Sequence, residues 1–170
     1  MTLNNFQFNT TPGLRFGSGE AKNSCKEIFN KLGSRILFIT DKGLMSLGLT
    51  KPTIQELKTM GEVEVFDGVE ADPSKKTLLT AIEIGKKFKA TGVIGFGGGS
   101  SMDVAKLTAL ILGSNEDLEK AWGVANAKGP RLPLVLIPTT AGTGSEVTPV
   151  SIITVGEEEK KGVSSAIILP

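Results

Sequence analysis

The feature that most constrains this chain is a short apolar run that breaks into glycines and resumes as an amphipathic segment. Residues 93–97 read Val-Ile-Gly-Phe-Gly and lead into Gly98, Gly99 and Ser100. The pattern predicts a strand, a tight turn and a helix. Glycines let a backbone approach a ligand closely, and the free N–H groups of a helix's first turn attract negative charge. The stretch therefore fits a phosphate-binding loop, and it fits equally well a structural turn that packs the helix against a sheet.

Two common nucleotide-binding patterns do not occur in the sequence. Counted from Gly95 or Gly97, the G-x-G-x-x-G fingerprint fails because its last position holds Ser100 or Met102. The sequence also has no G-x-x-x-x-G-K-[ST] loop. A nucleotide site in this chain would belong to another class.

A second loop places small hydroxyl residues around two glycines, directly after the apolar run 132–137. Because ligands of open α/β sheets bind outside the carboxyl ends of the strands, this loop and the glycine loop should converge. Hydroxyls suit such a site because they donate hydrogen bonds without adding fixed charge. For Ser145 and Thr148 the alternative is a bond to the backbone of their own turn. The candidate residues of this loop are Thr139, Thr140, Thr143, Ser145 and Thr148.

The composition indicates one globular α/β domain. Its 170 residues are 39% hydrophobic, which is enough for a core, and the formal net charge of +1 provides no field that would favour nucleic acid or an anionic membrane. No basic leader precedes an apolar stretch at the amino terminus, and no apolar run approaches membrane-spanning length. We therefore expect a cytoplasmic protein without a membrane or nucleic-acid partner.

The sequence contains no histidine, which removes Ser-His and Cys-His catalysis and any histidine-built metal site from this chain. Its single cysteine, Cys25, lies on the apolar stripe of a predicted helix and is expected to be a packed thiol without chemistry. We predict no catalytic residue and no metal ligand.

Two motifs resemble the signatures of the iron-containing (group III) alcohol dehydrogenase family. Residues 97–106 match G-G-G-S-x-x-D-x-A-K, and residues 138–146 match P-T-T-A-G-T-G-S-E without a gap. The resemblance implies a Rossmann-like, mostly parallel sheet flanked by helices, similar to the amino-terminal domain of dehydroquinate synthase, over residues 1–170. It also implies that Gly97, Gly98, Gly99 and Ser100 hold the pyrophosphate of NAD(P) and that the second loop contacts the nicotinamide side.

Several charged residues gain a role from the same resemblance. Asp103 and Lys106 are three apart on one helix and could simply pair on its surface, but the family match favours a reach toward the cofactor. Asp41 follows a predicted strand, where it is either a loop or cap aspartate or an acceptor for a ribose diol, which would favour NAD over NADP. Asp72 is first of all expected to cap a helix, and second to contact the cofactor.

The family also implies a lysine that contacts the cofactor ribose within the charged run at residues 157–162. The alignment favours Lys161 over Lys160. By composition alone, this run is predicted to be an exposed turn.

The resemblance further implies the architecture of a longer enzyme. Family members run to more than twice this length, and their helical second half binds a divalent metal, Fe or Zn, which is not expected here. Strands at Phe6–Phe8 and Leu14–Phe16 are predicted to form a hairpin, through which relatives make a homodimer, while residues 115–130 are predicted to be a surface connection.

The expected function is NAD(P)-dependent oxidoreduction of a small alcohol or aldehyde, represented by its cofactor-binding half and inactive alone. Two alternatives stay open: a nucleotide-binding or assembly module without turnover, and a glycerol-dehydrogenase-like member. The intact second motif argues against the latter.

Overall fold

The structure, a computed structural model, describes residues 9–157 and 159–170. The strands are β1 (Arg35–Ile39), β2 (Glu62–Phe66), β3 (Gly92–Gly97), β4 (Gly123–Val124), β5 (Leu134–Pro138), β6 (Val150–Val155) and β7 (Glu159–Ser164). The helices are α1 (Glu20–Asn23), α2 (Cys25–Leu32), α3 (Lys42–Ser46), α4 (Lys51–Lys58), α5 (Lys75–Phe88), α6 (Gly99–Ser114) and α7 (Leu118–Ala121). Single 3₁₀ turns lie at Ser145–Val147 and Ala166–Ile168.

Four parallel strands form the main sheet, in the order β2-β1-β3-β5. Side chains of a strand alternate between its faces, so Ile36 and Phe38 of β1 pack in a cluster with α2 and α4. Leu37 and Ile39 pack on the other face, in a cluster with α5 and α6. Because both faces are covered, the central strands are continuous apolar runs. The predicted fold class, a mostly parallel sheet flanked by helices, is confirmed.

Helix α6 lies unusually close to the sheet. A Cβ atom placed on Gly95 of β3 would lie 2.7 Å from the Cβ of Ala105 and 2.8 Å from a methyl group of Leu136, so only glycine fits there. Most residues of α6 are buried, because the helix also contacts α5 and β6. This close packing fixes the start of α6 against the carboxyl end of β3.

Strands β6 and β7 form an antiparallel hairpin, and β4 adds to β7 in parallel, which gives a second sheet of three strands. The prediction of an exposed turn over residues 157–162 is therefore wrong in part, because Glu157 lies in an exposed turn but β7 begins at Glu159. Its charged side chains are tolerated because most of β7 remains at least partly exposed, while Val163 is buried. The interpretation of residues 115–130 as a surface connection is also wrong in part, since α7 and β4 lie there and Leu118 and Ala121 are buried.

The predicted amino-terminal hairpin is not found where it can be checked. Phe6–Phe8 lies outside the described residues, and Leu14 and Phe16 belong to no strand, with 68% and 98% of their surfaces exposed. The predicted first helix is present as α1 and α2, which meet at Ser24. Among residues 9–157 and 159–170, none of the helices combines the length and the apolar character that a membrane span requires.

Candidate functional site

A cavity of about 490 Å³ lies at the amino end of α6 and against the β6–β7 hairpin. Residues from five separate segments line it. They are Asp72, Pro73, Gly99, Ser100, Asp103, Thr143, Ser145, Thr148, Val150, Ile152, Thr154 and Lys160. The glycine loop and the threonine loop thus reach one cavity, as their positions after parallel strands predict.

The glycine loop presents backbone rather than side chains. Gly98 occupies the N-cap position of α6, so no side chain accepts from the N–H groups of the first turn. The N–H of Thr139 donates to the carbonyl of Gly97 at 3.0 Å, which joins the two loops directly. A Cβ on Gly99 would lie 2.9 Å from the Cγ2 methyl of Thr143. The loops are therefore packed against each other, and their free amides are available to an anion.

The threonine loop turns sharply through Gly142 and Gly144, whose φ angles of 144° and 65° favour glycine. The hydroxyl of Thr143 accepts a hydrogen bond from the N–H of Ser145 at 3.2 Å, so this threonine bonds its own turn. Ser145 does not follow the local alternative, because its side chain bonds to α6 instead. Thr148 lies on the cavity wall.

Asp103, Lys106 and Ser145 form a buried polar cluster behind that wall. The Nζ of Lys106 donates to Ser145 Oγ and to the carbonyl of Val150, each at 2.8 Å. Ser145 Oγ donates to Asp103 Oδ1 at 2.7 Å, and Asp103 Oδ2 accepts from the N–H of Ile152 at 3.0 Å. The cluster ties α6, the threonine loop and β6 together.

Burial sets the protonation behaviour of this cluster. Removal from water lowers the pKa of Lys106 to about 8, although the negative charges of Asp103 and Glu146 act in the opposite direction. Burial likewise raises the pKa of Asp103, against hydrogen bonds from Ser145 and Ile152 and the charge of Lys106. For both groups the loss of hydration outweighs their attraction across 3.8 Å.

A second ion pair, between Asp72 and Lys160, lies on the other side of the cavity and is largely exposed. Asp72 has a φ of 52°, which is uncommon for a residue other than glycine, and its carbonyl accepts from Thr154 Oγ1 at 3.2 Å. The predicted capping role of Asp72 is wrong, because Ser74 caps α5 by accepting from the N–H of Thr77. Asp72 instead lines the cavity beside Pro73.

The sequence-predicted site residues divide into two groups. Seven line the cavity: Asp72, Gly99, Ser100, Asp103, Thr143, Ser145 and Thr148. The others are not among its lining residues: Asp41, Gly97, Gly98, Lys106, Thr139, Thr140 and Lys161.

Three of the second group make contacts that bear on their predicted roles. Asp41 Oδ1 accepts from the N–H of Leu44 at 2.9 Å and caps α3, which is the capping alternative. The side chain of Lys106 has no exposed surface. Lys161 has its nearest carboxylate in Glu159, 3.9 Å away, and Lys160 takes the place on the cavity wall.

Sequence reasoning ranked Lys160 below Lys161 and did not identify three further lining residues, Val150, Ile152 and Thr154. Interpreting residues 159–164 as a strand would have found Lys160, because it pairs with Thr154 across the hairpin and both point to one face. The charged composition of the run concealed that strand.

The described residues contain no cluster of three or more His, Cys, Asp or Glu side chains that could hold a metal ion. The amides and hydroxyls of the cavity suit an anionic organic ligand.

A family model described as iron-containing alcohol dehydrogenase matches residues 12–170. A sulfoacetaldehyde reductase from Bilophila wadsworthia is 35% identical over 92% of this chain, which spans 41% of that relative. The resemblance read from the two motifs is thereby confirmed.

Solved structures agree with the family match. A 1,3-propanediol oxidoreductase superimposes on this chain with a TM-score of 0.92 at 29% identity. The superposition covers 98% of this chain and 44% of the chain of that enzyme. A sulfoacetaldehyde reductase from Bifidobacterium kashiwanohense, in complex with NAD⁺, superimposes with a TM-score of 0.83 at 31% identity, covering 100% and 45%. The chain thus spans less than half the length of these relatives.

Proposed function

Because this chain belongs to the iron-containing alcohol dehydrogenase family, we propose that it is the dinucleotide-binding part of an NAD-dependent enzyme that interconverts a small alcohol and its aldehyde. The observation that carries the proposal is the meeting of the glycine loop and the threonine loop at one cavity. A similar solved structure contains NAD⁺, which supports the choice of cofactor. When bound, NAD supplies a nicotinamide ring that accepts hydride from the alcohol carbon.

The residues of this chain bind and orient the cofactor. The free N–H groups of Gly99 and Ser100 at the start of α6 face the pyrophosphate, and the hydroxyl of Ser100 adds a donor. The hydroxyls of Thr143 and Thr148 serve the nicotinamide side. Lys160, rather than Lys161, is the lysine that reaches the ribose, because it lines the cavity.

Calorimetric titration of the chain with NAD tests this proposal. We expect saturable binding by the unmodified chain and none by Gly98→Val, whose side chain would cover the amides that face the phosphates. The fold should survive, since a Cβ at Gly98 meets its nearest neighbour, Thr140, at an ordinary 3.5 Å. Gly13→Val is the matched control, because a Cβ at Gly13 would meet nothing within 4 Å and this residue lies off the cavity. Absence of heat with both NAD and NADP would contradict the assignment.

The preference for NAD over NADP is assigned to Asp41. At an effective dielectric near 20, a carboxylate ~4 Å from a 2′-phosphate costs about 4 kcal/mol per unit charge before screening. Asp41→Asn removes the charge and keeps an N-cap side chain for α3, so the change isolates the electrostatic effect. We expect the ratio of the NADP and NAD dissociation constants to fall toward one. An unchanged ratio would show that Asp41 acts only as a cap.

The described residues offer no ligand cluster for the metal that the family name implies. We therefore propose that residues 1–170 alone do not reduce NAD with an alcohol when iron or zinc is added. A bound metal would acidify the alcohol proton near neutral pH, and without it the neutral alcohol is a poor hydride donor. Steady NADH production by the purified chain would overturn this division of the enzyme.

We also propose a homodimer through the amino-terminal segment that contains Leu14 and Phe16. The exposed apolar side chains of Leu14 and Phe16 support it, because surfaces of this kind are often covered by a partner. Sedimentation of the chain and of Phe16→Ser tests the proposal: the substitution should shift the equilibrium toward monomer.

A further inference from the structure

Lys106 is the most deeply buried charged side chain near the cavity, and binding of a cofactor does not by itself explain its position. Its side chain has no exposed surface, and it is absent from the cavity wall. A buried ammonium group is costly unless nearby groups compensate it. The geometry therefore calls for a role that Lys106 performs through its neighbours.

Those neighbours are one hydroxyl, one carbonyl and two carboxylates. Nζ donates to Ser145 Oγ and to the carbonyl of Val150, each at 2.8 Å, and lies 3.8 Å from Asp103 Oδ1. The charge of Glu146, on the turn Ser145–Val147, also acts on Lys106. Glu146 Oε2 is buried and accepts no hydrogen bond from any described residue. Lys106 therefore faces two negative charges.

Within the described part of the chain, no other titratable group approaches Lys106 from the elements packed around it. The strands β3, β5 and β6 carry no titratable side chain. Helix α5 packs on α6 through apolar residues such as Leu78 and Ala81, and its Glu83 and Lys87 are exposed. Lys86 donates to Asn115 Oδ1 at the carboxyl end of α6, and Arg35 of β1 donates to the carbonyl of Lys89, so the charges that act on Lys106 are those of Asp103 and Glu146. The local charge balance thus depends on Asp103, Glu146 and Lys106.

This balance matters because Asp103 lines the cavity that would hold a pyrophosphate. A carboxylate there repels an anion, and the repulsion is strong where water is excluded. With Lys106 protonated, the positive charge offsets Asp103; with Lys106 neutral, the wall carries one more net negative charge.

We propose, on the basis of the proposed dinucleotide site, that Lys106 is a positioning residue and counter-charge that acts through Asp103 and Ser145, so that an anionic dinucleotide binds preferentially when Lys106 is protonated. Both hydrogen bonds of Nζ survive deprotonation, because a neutral amine still has two N–H donors. The effect of deprotonation on binding is therefore electrostatic, and it is separable from a structural role.

By linkage, a ligand that prefers the protonated form raises the pKa of Lys106 from its value of about 8 in the free chain. Binding of one NAD at pH 8 then removes at most about half a proton from the buffer. Affinity falls as the pH rises from 7 to 10, by about tenfold for each unit by which binding raises the pKa.

Calorimetry of NAD binding at pH 8 in two buffers with different ionisation enthalpies measures this proton directly. The unmodified chain should take up protons, and Lys106→Met should take up none and bind more weakly with a flat pH profile. Lys58→Met, the same change at an exposed position of α4, is the control and should behave like the unmodified chain. The amino terminus also titrates near pH 8, but it is present in all three proteins.

NAD binding without proton uptake by the unmodified chain overturns this inference and leaves the proposed function standing. Equal uptake by Lys106→Met overturns it as well, because another group must then be the source. Absence of NAD binding at pH 7 refutes the proposed function and this inference with it. Should Lys106→Met not fold, NMR titration of the Lys106 side-chain nitrogen decides: its pKa must rise when NAD is added.

Discussion

The cavity lies between two carboxylate–lysine pairs that differ in burial and therefore in their contribution to stability. The inner pair joins Asp103, with 17% of its side chain exposed, to Lys106, with 0%. The outer pair joins Asp72, 73% exposed, to Lys160, 52% exposed. Exposed pairs contribute little because water screens them, whereas a buried charge that loses its partner is strongly destabilising. The inner pair is thus important for stability, whereas the outer pair is an exposed contact at the rim of the cavity.

Removing the inner carboxylate should have the largest effect. Asp103→Ala leaves Lys106 charged and buried with one carboxylate fewer, and it deprives Ser145 Oγ and the N–H of Ile152 of their acceptor. We expect a loss of about 3–5 kcal/mol in the free energy of unfolding. Asp72→Ala should cost less than about 1 kcal/mol. Urea unfolding of both variants measures the difference, and equal losses would remove the distinction between the two pairs.

The next effect concerns the glycine that lets α6 approach the sheet behind the inner pair. In Gly95→Ala the new methyl group would lie 2.7 Å from the Cβ of Ala105, so helix and strand must separate. Overpacking of this kind costs roughly 1–3 kcal/mol. Gly98→Ala, at the cavity side of the same loop, meets Thr140 at 3.5 Å and should cost about 1 kcal/mol or less. Thermal unfolding distinguishes the two, and a similar melting temperature for both would contradict the close packing at Gly95.

The main sheet and the convergence of the two loops follow from sequence because they depend on local patterns. Apolar runs such as residues 36–39 and 93–97 have few alternatives to buried parallel strands. Glycines and small hydroxyl residues at the ends of such strands indicate where a ligand site can form, although the glycines alone fit a structural turn equally well.

The roles of individual charged residues do not follow from sequence, because they depend on contacts between distant segments. The motif predicts that Lys106 reaches a ligand. In the structure β6 and the threonine loop cover α6 and bury the ammonium group of Lys106. The charged neighbours of Lys160 conceal its role, although pairing with β6 turns it toward the cavity. The position of Asp41 in the sequence fits both a helix cap and an acceptor for a ribose diol. Only the hydrogen bond from the N–H of Leu44 to Asp41 Oδ1 shows that Asp41 caps α3.

The pH dependence of stability gives a smaller effect that separates the two pairs. The folded chain lowers the pKa of Lys106 from 10.5 to about 8. Between these values the unfolded chain binds the proton more tightly, so the free energy of unfolding rises with pH, by about 1 kcal/mol from pH 8 to pH 9. Lys106→Met should abolish this rise. Lys160→Met, the matching change in the outer pair, should retain it because that side chain is half exposed.

The titration of Cys25 lowers the free energy of unfolding at high pH and so opposes the rise that Lys106 causes. The experiment therefore needs a control for Cys25. Burial, assisted by the charge of Glu56, raises the pKa of its thiol from 9.0 to about 11, so the folded chain holds this proton longer than the unfolded chain. The resulting loss of stability occurs between pH 9 and pH 11. Denaturant titrations in a Cys25→Ala background isolate the contribution of Lys106, and a flat profile there would contradict the burial of its charge.

The smallest effect is expected at the outer pair. Asp72→Asn removes the carboxylate that pairs with Lys160, and it should change the free energy of unfolding by no more than about 0.5 kcal/mol. The freed ammonium group should strengthen NAD binding severalfold at low ionic strength, and the gain should fade in high salt because both groups are exposed. Calorimetry at two salt concentrations measures it. A gain that persists in high salt would place Lys160 in a more buried environment than the outer rim.

NMR titration of the labelled chain with NAD tests most directly whether the glycine loop and the threonine loop together hold a dinucleotide. We expect the backbone amide signals of Gly99 and Ser100, and those of Thr143 and Ser145, to shift together and saturate at one ligand concentration, because both loops line one cavity. The amides of α4 should not move. Shifts confined to one loop, or the absence of saturable shifts in either, would contradict this expectation.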